Sequence, residues 1–146
     1  MSRMSEFAGR EGAGYSMTVE RGKIREFAAA VGSAHPRHFD DEPVAPPTFL
    51  ASNAFWTTDD SDPWGDEGPD LARVLHAGQR YVFHGPPPRA GTELHCKQRI
   101  DRVYSKQGRR GGALEFADIV TEFRDADGNL VAEAIATLVV TEKAPE

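Results

Sequence analysis

Leu130, Ala132, Ala134, Ala136, Leu138 and Val140 stand at every second position of one C-terminal run. That is the spacing at which a β-strand turns its side chains to a single face, so this run predicts a strand lying over a core. Three further β-rich runs precede it, Arg73 to His84, Thr92 to Lys106 and Ala113 to Arg124. The second half of the chain is therefore expected to form one sheet. Asp125, Ala126, Asp127, Gly128 and Asn129 supply hairpin-turn chemistry between the last two runs, and Gly108 to Gly112, with Arg109 and Arg110, supplies the turn before them. Short turns of this kind predict a largely antiparallel sheet. Gly85 to Gly91 holds Pro86, Pro87 and Pro88, which cannot donate to a ladder, and predicts a turn between adjacent strands.

The first half reads differently. Tyr15 to Val19 is a short β-prone run. After it, Ile24, Phe27, Ala28 and Val31 fall on one helix face, with Gly32 placed as a C-cap. Ser33 to Ala45 shows no period but gathers His35, Pro36, His38, Asp40 and Asp41. Pro46 and Pro47 then lead into Thr48 to Trp56, apolar on most sides, which predicts a second helix buried in the concavity of the sheet. Residues 57–71 are rich in Asp, Gly and Pro and predict an acidic, solvated flap. A calcium loop is a poor fit there, because Trp64 takes a ligand position and the glycine spacing is wrong. Residues 1–14 read as a flexible N-terminus and residues 15–143 as a single α+β domain, with helices against one face of the sheet.

Charge narrows the function. The formal net charge of −6 is spread along the chain, with no basic, aromatic-interleaved stretch, which argues against a nucleic-acid partner. No run has the apolar length of a signal peptide or membrane span, so no membrane association and a cytoplasmic location are expected. Cys96 is the only cysteine. An internal disulfide is excluded, a zinc site would rest on His and carboxylates alone, and no metal or cofactor is expected.

The segment Gly32-Ser33-Ala34-His35-Pro36-Arg37-His38, followed by Ala45-Pro46-Pro47-Thr48-Phe49, resembles the MaoC-like dehydratases, specifically their amino-terminal, FAS1-like (HadA-like) type. Lys23 to Gly32 is similar to that family's first helix, and Val74 to Gly91 to its strand, proline turn and glycine. The resemblance implies a hot-dog fold, a curled antiparallel sheet wrapped around a central helix. It also implies dimers formed edge to edge, as a homodimer or with a catalytic hot-dog subunit, and a tunnel for an acyl-CoA or acyl-carrier-protein thioester. The implied reaction is reversible syn dehydration of a (3R)-hydroxyacyl thioester. A histidine takes the C2 proton, a carboxylate assists the departing hydroxyl, and N–H groups at a helix start steady the thioester oxygen.

In competent members the loop reads Gly, Asp, any, Asn, Pro, any, His. Here Ser33 replaces the aspartate and His35 the asparagine, while Gly32, Pro36 and His38 match. A serine cannot carry the charge of a carboxylate, so the catalytic pair is incomplete. The resemblance assigns His38 and the substituted Ser33 to the catalytic positions. It assigns His35, Pro47, Thr48, Phe49, His76 and Gln79 to substrate binding. Asp40 or Asp41 would replace the missing carboxylate only if the loop bends back. Against these roles stand plainer ones: a surface histidine beside aspartates for His38, a hydrogen-bonding structural histidine for His35, and simple packing for Trp56 and Trp64. Two rival functions remain: a non-catalytic acyl-CoA-binding module, and a hot-dog thioesterase, which would need a carboxylate that Thr48 to Phe55 lacks.

Overall fold

The computed structural model describes residues 3–109 and 112–142. Its elements are β1 (Tyr15–Thr18), α1 (Arg21–Ala30), a 3-10 helix at Phe49–Phe55, and four long strands, β2 (Val74–Phe83), β3 (Glu93–Gln107), β4 (Ala113–Arg124) and β5 (Leu130–Val140). The strands make one antiparallel sheet in the order β1-β3-β4-β5-β2. Strand period decides which side is covered. Leu94, Cys96 and Ile100 on β3, Ala117, Ile119 and Phe123 on β4, and Ala132 and Ala134 on β5 all share the inner face and are buried. The 3-10 helix fills the concavity. Phe49 and Leu50 pack with Met17, Leu94, Phe123 and Ala132, and the Phe27 ring of α1 meets Phe49 edge-on at 5.6 Å. This is the hot-dog architecture.

α1 ends as its sequence dictates. Gly32 takes a φ of +73°, its N–H reaches the Ala29 carbonyl, and the Ser33 N–H reaches that of Ala28 at 2.8 Å. These two bonds are the Schellman arrangement, which favours glycine at that left-handed position.

Four expectations need correction. The second helix is a 3-10 segment buried on one side only, through Phe49, Leu50, Ser52 and Asn53, while Phe55 is 80% exposed. The proline segment does not join adjacent strands, because β2 pairs with β5 at one edge and β3 lies beyond β4. Residues 84–92 instead cross over the sheet's end. Crossing three strand spacings requires roughly 14 Å, well within reach of a nine-residue extended chain. The crossover is tied to the histidine loop by Ala45 N–H to Pro88 O and Ala90 N–H to Pro43 O. The N-terminus is not loose either. Met4 and Phe7 are buried, and Gly9, Arg10 and Gly12 hydrogen-bond to the β3 backbone at Ile100 and Gln98. Finally, residues 57–71 form a strap rather than a solvated flap, because Ser61, Pro63 and Trp64 are buried beneath their acidic neighbours. Gly12 shows how closely strap and N-terminus approach: a Cβ there would sit 1.8 Å from the Ser61 carbonyl oxygen. Only glycine fits.

The sheet's two edge strands are β1 and β2; residues 9–12 run along β3 beyond the short β1, and among the described residues no strand pairs with the outer side of the long β2. Among the described residues no helix is long and apolar enough to cross a membrane.

Candidate functional site

The histidine loop folds into a short 3-10 turn, Pro36–His38. His35 caps it, its Nδ1 accepting the Arg37 N–H at 3.2 Å. An imidazole nitrogen thus does the capping work that an asparagine oxygen does at such turns. Ser33 Oγ faces the His35 N–H at 3.5 Å, the outer limit of a hydrogen bond. His38 is buried, with Nδ1 2.9 Å from the Val44 carbonyl oxygen and its ring centroid 5.6 Å from that of His35. A carbonyl only accepts, so Nδ1 is the donor, and in the neutral ring this bond selects the tautomer with its lone pair on Nε2. Asp40 and Asp41 do not bend back to it. Asp40 pairs with Arg37 at 3.7 Å and Asp41 with Arg21 at 3.3 Å. Among the described residues no carboxylate hydrogen-bonds to His38.

A second region has the shape of a binding site. Between the 3-10 helix, the 57–71 strap and the inner face of the sheet lies a cavity of about 460 Å³. Its floor is open because β5 contributes Ala134 and Ala136 where larger apolar residues would fill the space. Asn53 projects from the helix, and Gln79, Tyr81, Gln98 and Thr121 from the strands. Tyr15 Oη donates to Asn53 Oδ1 at 2.6 Å, and Asn53 Nδ2 donates to the Leu50 carbonyl at 2.7 Å. Burial raises the Tyr15 pKa well above the ordinary phenol value, with the nearby Cys96 sulfur adding to the shift, so this hydroxyl stays a donor. Burial likewise raises that of Tyr81.

The residues singled out from the sequence are divided between these regions. Gln79 lines the cavity and accepts from His76 Nε2 at 3.0 Å beside a β-bulge in the edge strand. Pro47 and Thr48 are exposed at the helix start, and Phe49 is core. Ser33, His35 and His38 are outside the cavity lining. Arg110 lies outside the described residues. Sequence reasoning missed Asn53, Tyr81, Gln98 and Thr121. The signal was present in strand parity: Gln98 interrupts Leu94, Cys96 and Ile100, and Thr121 interrupts Ala117, Ile119 and Phe123, each a polar residue in a core-facing register.

Comparison with known proteins gives a consistent assignment. A protein of Streptomyces griseus described as a UPF0336 protein is 35% identical over 130 residues, covering 83% of each chain. The UPF0336 protein Rv0504c of Mycobacterium tuberculosis is 32% identical over 130 residues, covering 83% of this chain and 75% of its own. Among solved structures, the C-terminally truncated HadBC (3R-hydroxyacyl-ACP dehydratase) complex of M. tuberculosis matches with a TM-score of 0.73 at 29% identity, covering 91% of this chain and 96% of that one. The ChsH1-ChsH2 complex of the same organism shares the fold, with a TM-score of 0.68 at 17% identity over 99% of this chain and 90% of that one. Residues 6–134 match the model of the FAS1-like, dehydratase domain region. With its hot-dog sheet and the loop at Gly32 to His38, the chain belongs to that FAS1-like dehydratase family.

Proposed function

We propose that this chain is the substrate-binding subunit of a (3R)-hydroxyacyl-thioester dehydratase, equally an enoyl-thioester hydratase, and that a second hot-dog chain supplies the intact aspartate and histidine. One observation carries the reading: His38 is oriented as a base would be, yet no carboxylate stands beside it. Ser33 occupies the acid's position, and both nearby aspartates are paired with arginines. A lone imidazole can accept a proton but leaves the departing hydroxyl without its acid.

Two further features support it. The cavity of about 460 Å³ is a suitable size and shape for an acyl chain. The unpaired edge at β2 offers main-chain groups to another sheet, and its Gln79 and Tyr81 also line the cavity, so a docked partner would adjoin the bound thioester. The HadBC and ChsH1-ChsH2 structures are both complexes of two named chains. The thioesterase reading gains nothing, since Phe49–Phe55 presents no carboxylate.

The test is hydration of crotonyl-CoA, followed by loss of enoyl absorbance, for the chain alone, for His38→Ala, and for the chain mixed with a hot-dog subunit carrying the full pair. The expected result is turnover only in the mixture. Turnover by the chain alone, abolished in His38→Ala, would make it a self-sufficient hydratase and refute the subunit assignment.

A further inference from the structure

The crossover of residues 84–92 does more than span the end of the sheet. With Leu50 of the 3-10 helix, Leu94 of β3 and Ala132 of β5, it borders a second cavity of about 340 Å³. This cavity shares no lining residue with the larger one. Pro86, Pro87 and Pro88 form one wall. A proline ring supplies apolar surface and has no backbone N–H to leave unpaired, so the wall carries no donors that need partners.

The polar side chains of the lining belong to Arg89, Thr92 and Asp125. Arg89 and Thr92 are the two ends of one turn. The Thr92 N–H reaches the Arg89 carbonyl at 3.2 Å, and Gly91 supplies the positive φ, +89°, at the turn's third position. The turn is pinned on both sides: the Ala90 N–H bonds to Pro43 O at 3.1 Å, the Gly91 N–H bonds to Val19 O at 2.8 Å, and Arg89 pairs with Val44 in an isolated β-bridge. The backbone that carries Arg89 is therefore set before any ligand arrives, which lowers the ordering cost of binding. Its guanidinium has no ion pair and no side-chain hydrogen bond among the described residues. Asp125 differs. Its carboxylate accepts the Asp127 and Asn129 N–H groups at 3.0 and 2.9 Å and Asn129 Nδ2 at 3.1 Å. The cavity thus presents apolar walls, one uncommitted cation, and one anion committed to its own hairpin turn.

We propose that this cavity binds a free medium-chain monocarboxylic acid, with its hydrocarbon chain against Leu50, Leu94 and the prolines and its carboxylate on Arg89. Charge selects the head group. A guanidinium holds a carboxylate through two parallel N–H···O bonds, whereas a dianionic phosphate would meet the Asp125 charge in the same lining with only one cation to offset it. Size selects the chain. At roughly 30 Å³ per non-hydrogen atom, a water molecule's share of liquid volume, the cavity of about 340 Å³ holds about eleven atoms, the size of octanoate. Because the two linings are separate, the acid and a thioester in the larger cavity do not compete.

The experiment is NMR titration of the full-length, methyl-labelled chain near neutral pH with octanoate, octan-1-ol and octyl phosphate. It is repeated for Arg89→Gln, and for octanoate in the presence of excess crotonyl-CoA. Octanoate is expected to shift the methyl signals of Leu50, Leu94 and Ala132 and to leave those of Ala136 and Leu138 in place. It should bind about fivefold or more tighter than octanol or octyl phosphate, the worth of one ion pair of about 1 kcal/mol. Arg89→Gln should bring octanoate down to the affinity of octanol, leave octanol unchanged, and melt at the wild-type temperature, since the substituted side chain is exposed. Shifts centred on Ala136 and Leu138 place the acid in the larger cavity and overturn the inference. Octanoate binding unchanged in Arg89→Gln, tighter binding of octyl phosphate, or no shift with any ligand overturns it equally. Displacement of octanoate by crotonyl-CoA would make the cavity part of the thioester site, which ends the claim of a separate acid site and leaves the thioester reading standing.

Discussion

Trp64→Ala distinguishes a packed strap from a loose acidic loop. Trp64 is 8% exposed, its ring centroid lies 5.2 Å from that of Phe7, and the pair joins a cluster with Met4, Ile100, Ala117 and Val140. Burying nearly all of an indole's roughly 200 Å² at about 25 cal/mol per Å² gives roughly 4–5 kcal/mol. That is an upper bound, because the unfolded chain already hides part of this surface. Large-to-small replacements of buried Trp and Phe cost about 3–5 kcal/mol. A loss of about 3 kcal/mol is therefore expected, read as a drop in melting temperature of roughly 10 °C for a domain of this size. Urea unfolding gives the free energy directly, and a double-mutant cycle with Phe7→Ala should show about 0.5–1.5 kcal/mol of coupling. A destabilisation below about 1 kcal/mol, or strict additivity in the cycle, would refute the claim that the strap and the N-terminus pack together on the sheet.

Two further predictions concern titratable groups away from the cavity. On the outer face, burial pushes the Asp118 carboxyl upward, but hydrogen bonds from Thr137 and Arg102 outweigh it and hold the group below its usual range. A carboxylate depressed in the folded state contributes stability above its unfolded value, near pH 4, and loses it as pH falls toward the folded one. Wild-type unfolding free energy should therefore decline more steeply between about pH 4 and pH 2 than that of Asp118→Asn; parallel profiles would refute the assignment. Burial pushes the Cys96 thiol up to about 12, so the native protein should resist a thiol-disulfide reagent at pH 8 and react in full only in denaturant. Rapid labelling of the native chain would contradict its burial.

The sheet was legible because its information is local. Each long strand carries its own period-two pattern, and the ends of Ala113–Arg124 and the start of Leu130–Val140 agree with the runs read from the sequence. The order of the strands was not legible, since nothing in Gly85 to Gly91 states whether three prolines turn a hairpin or cross a sheet's end. That is decided by which edge β2 can occupy once β5 has paired with β4. Local reading failed in the opposite sense for Met4, Phe7 and Trp64. They are single apolar residues among charges and glycines, and single residues produce no period, yet together they build a second core cluster. The site divides along the same line. His35 and His38 stand out by chemistry and spacing, and the structure shows how each ring is held. Thr121 and Gln98 look unremarkable in the sequence because a threonine or glutamine in a strand is normally solvated. They become informative only when pairing places them side by side on the inner face, with an alanine opposite Thr121 to leave space above them. Residues that share a cavity are therefore recognised by finding where a core-facing register stops being apolar and a small residue opposite leaves the space open.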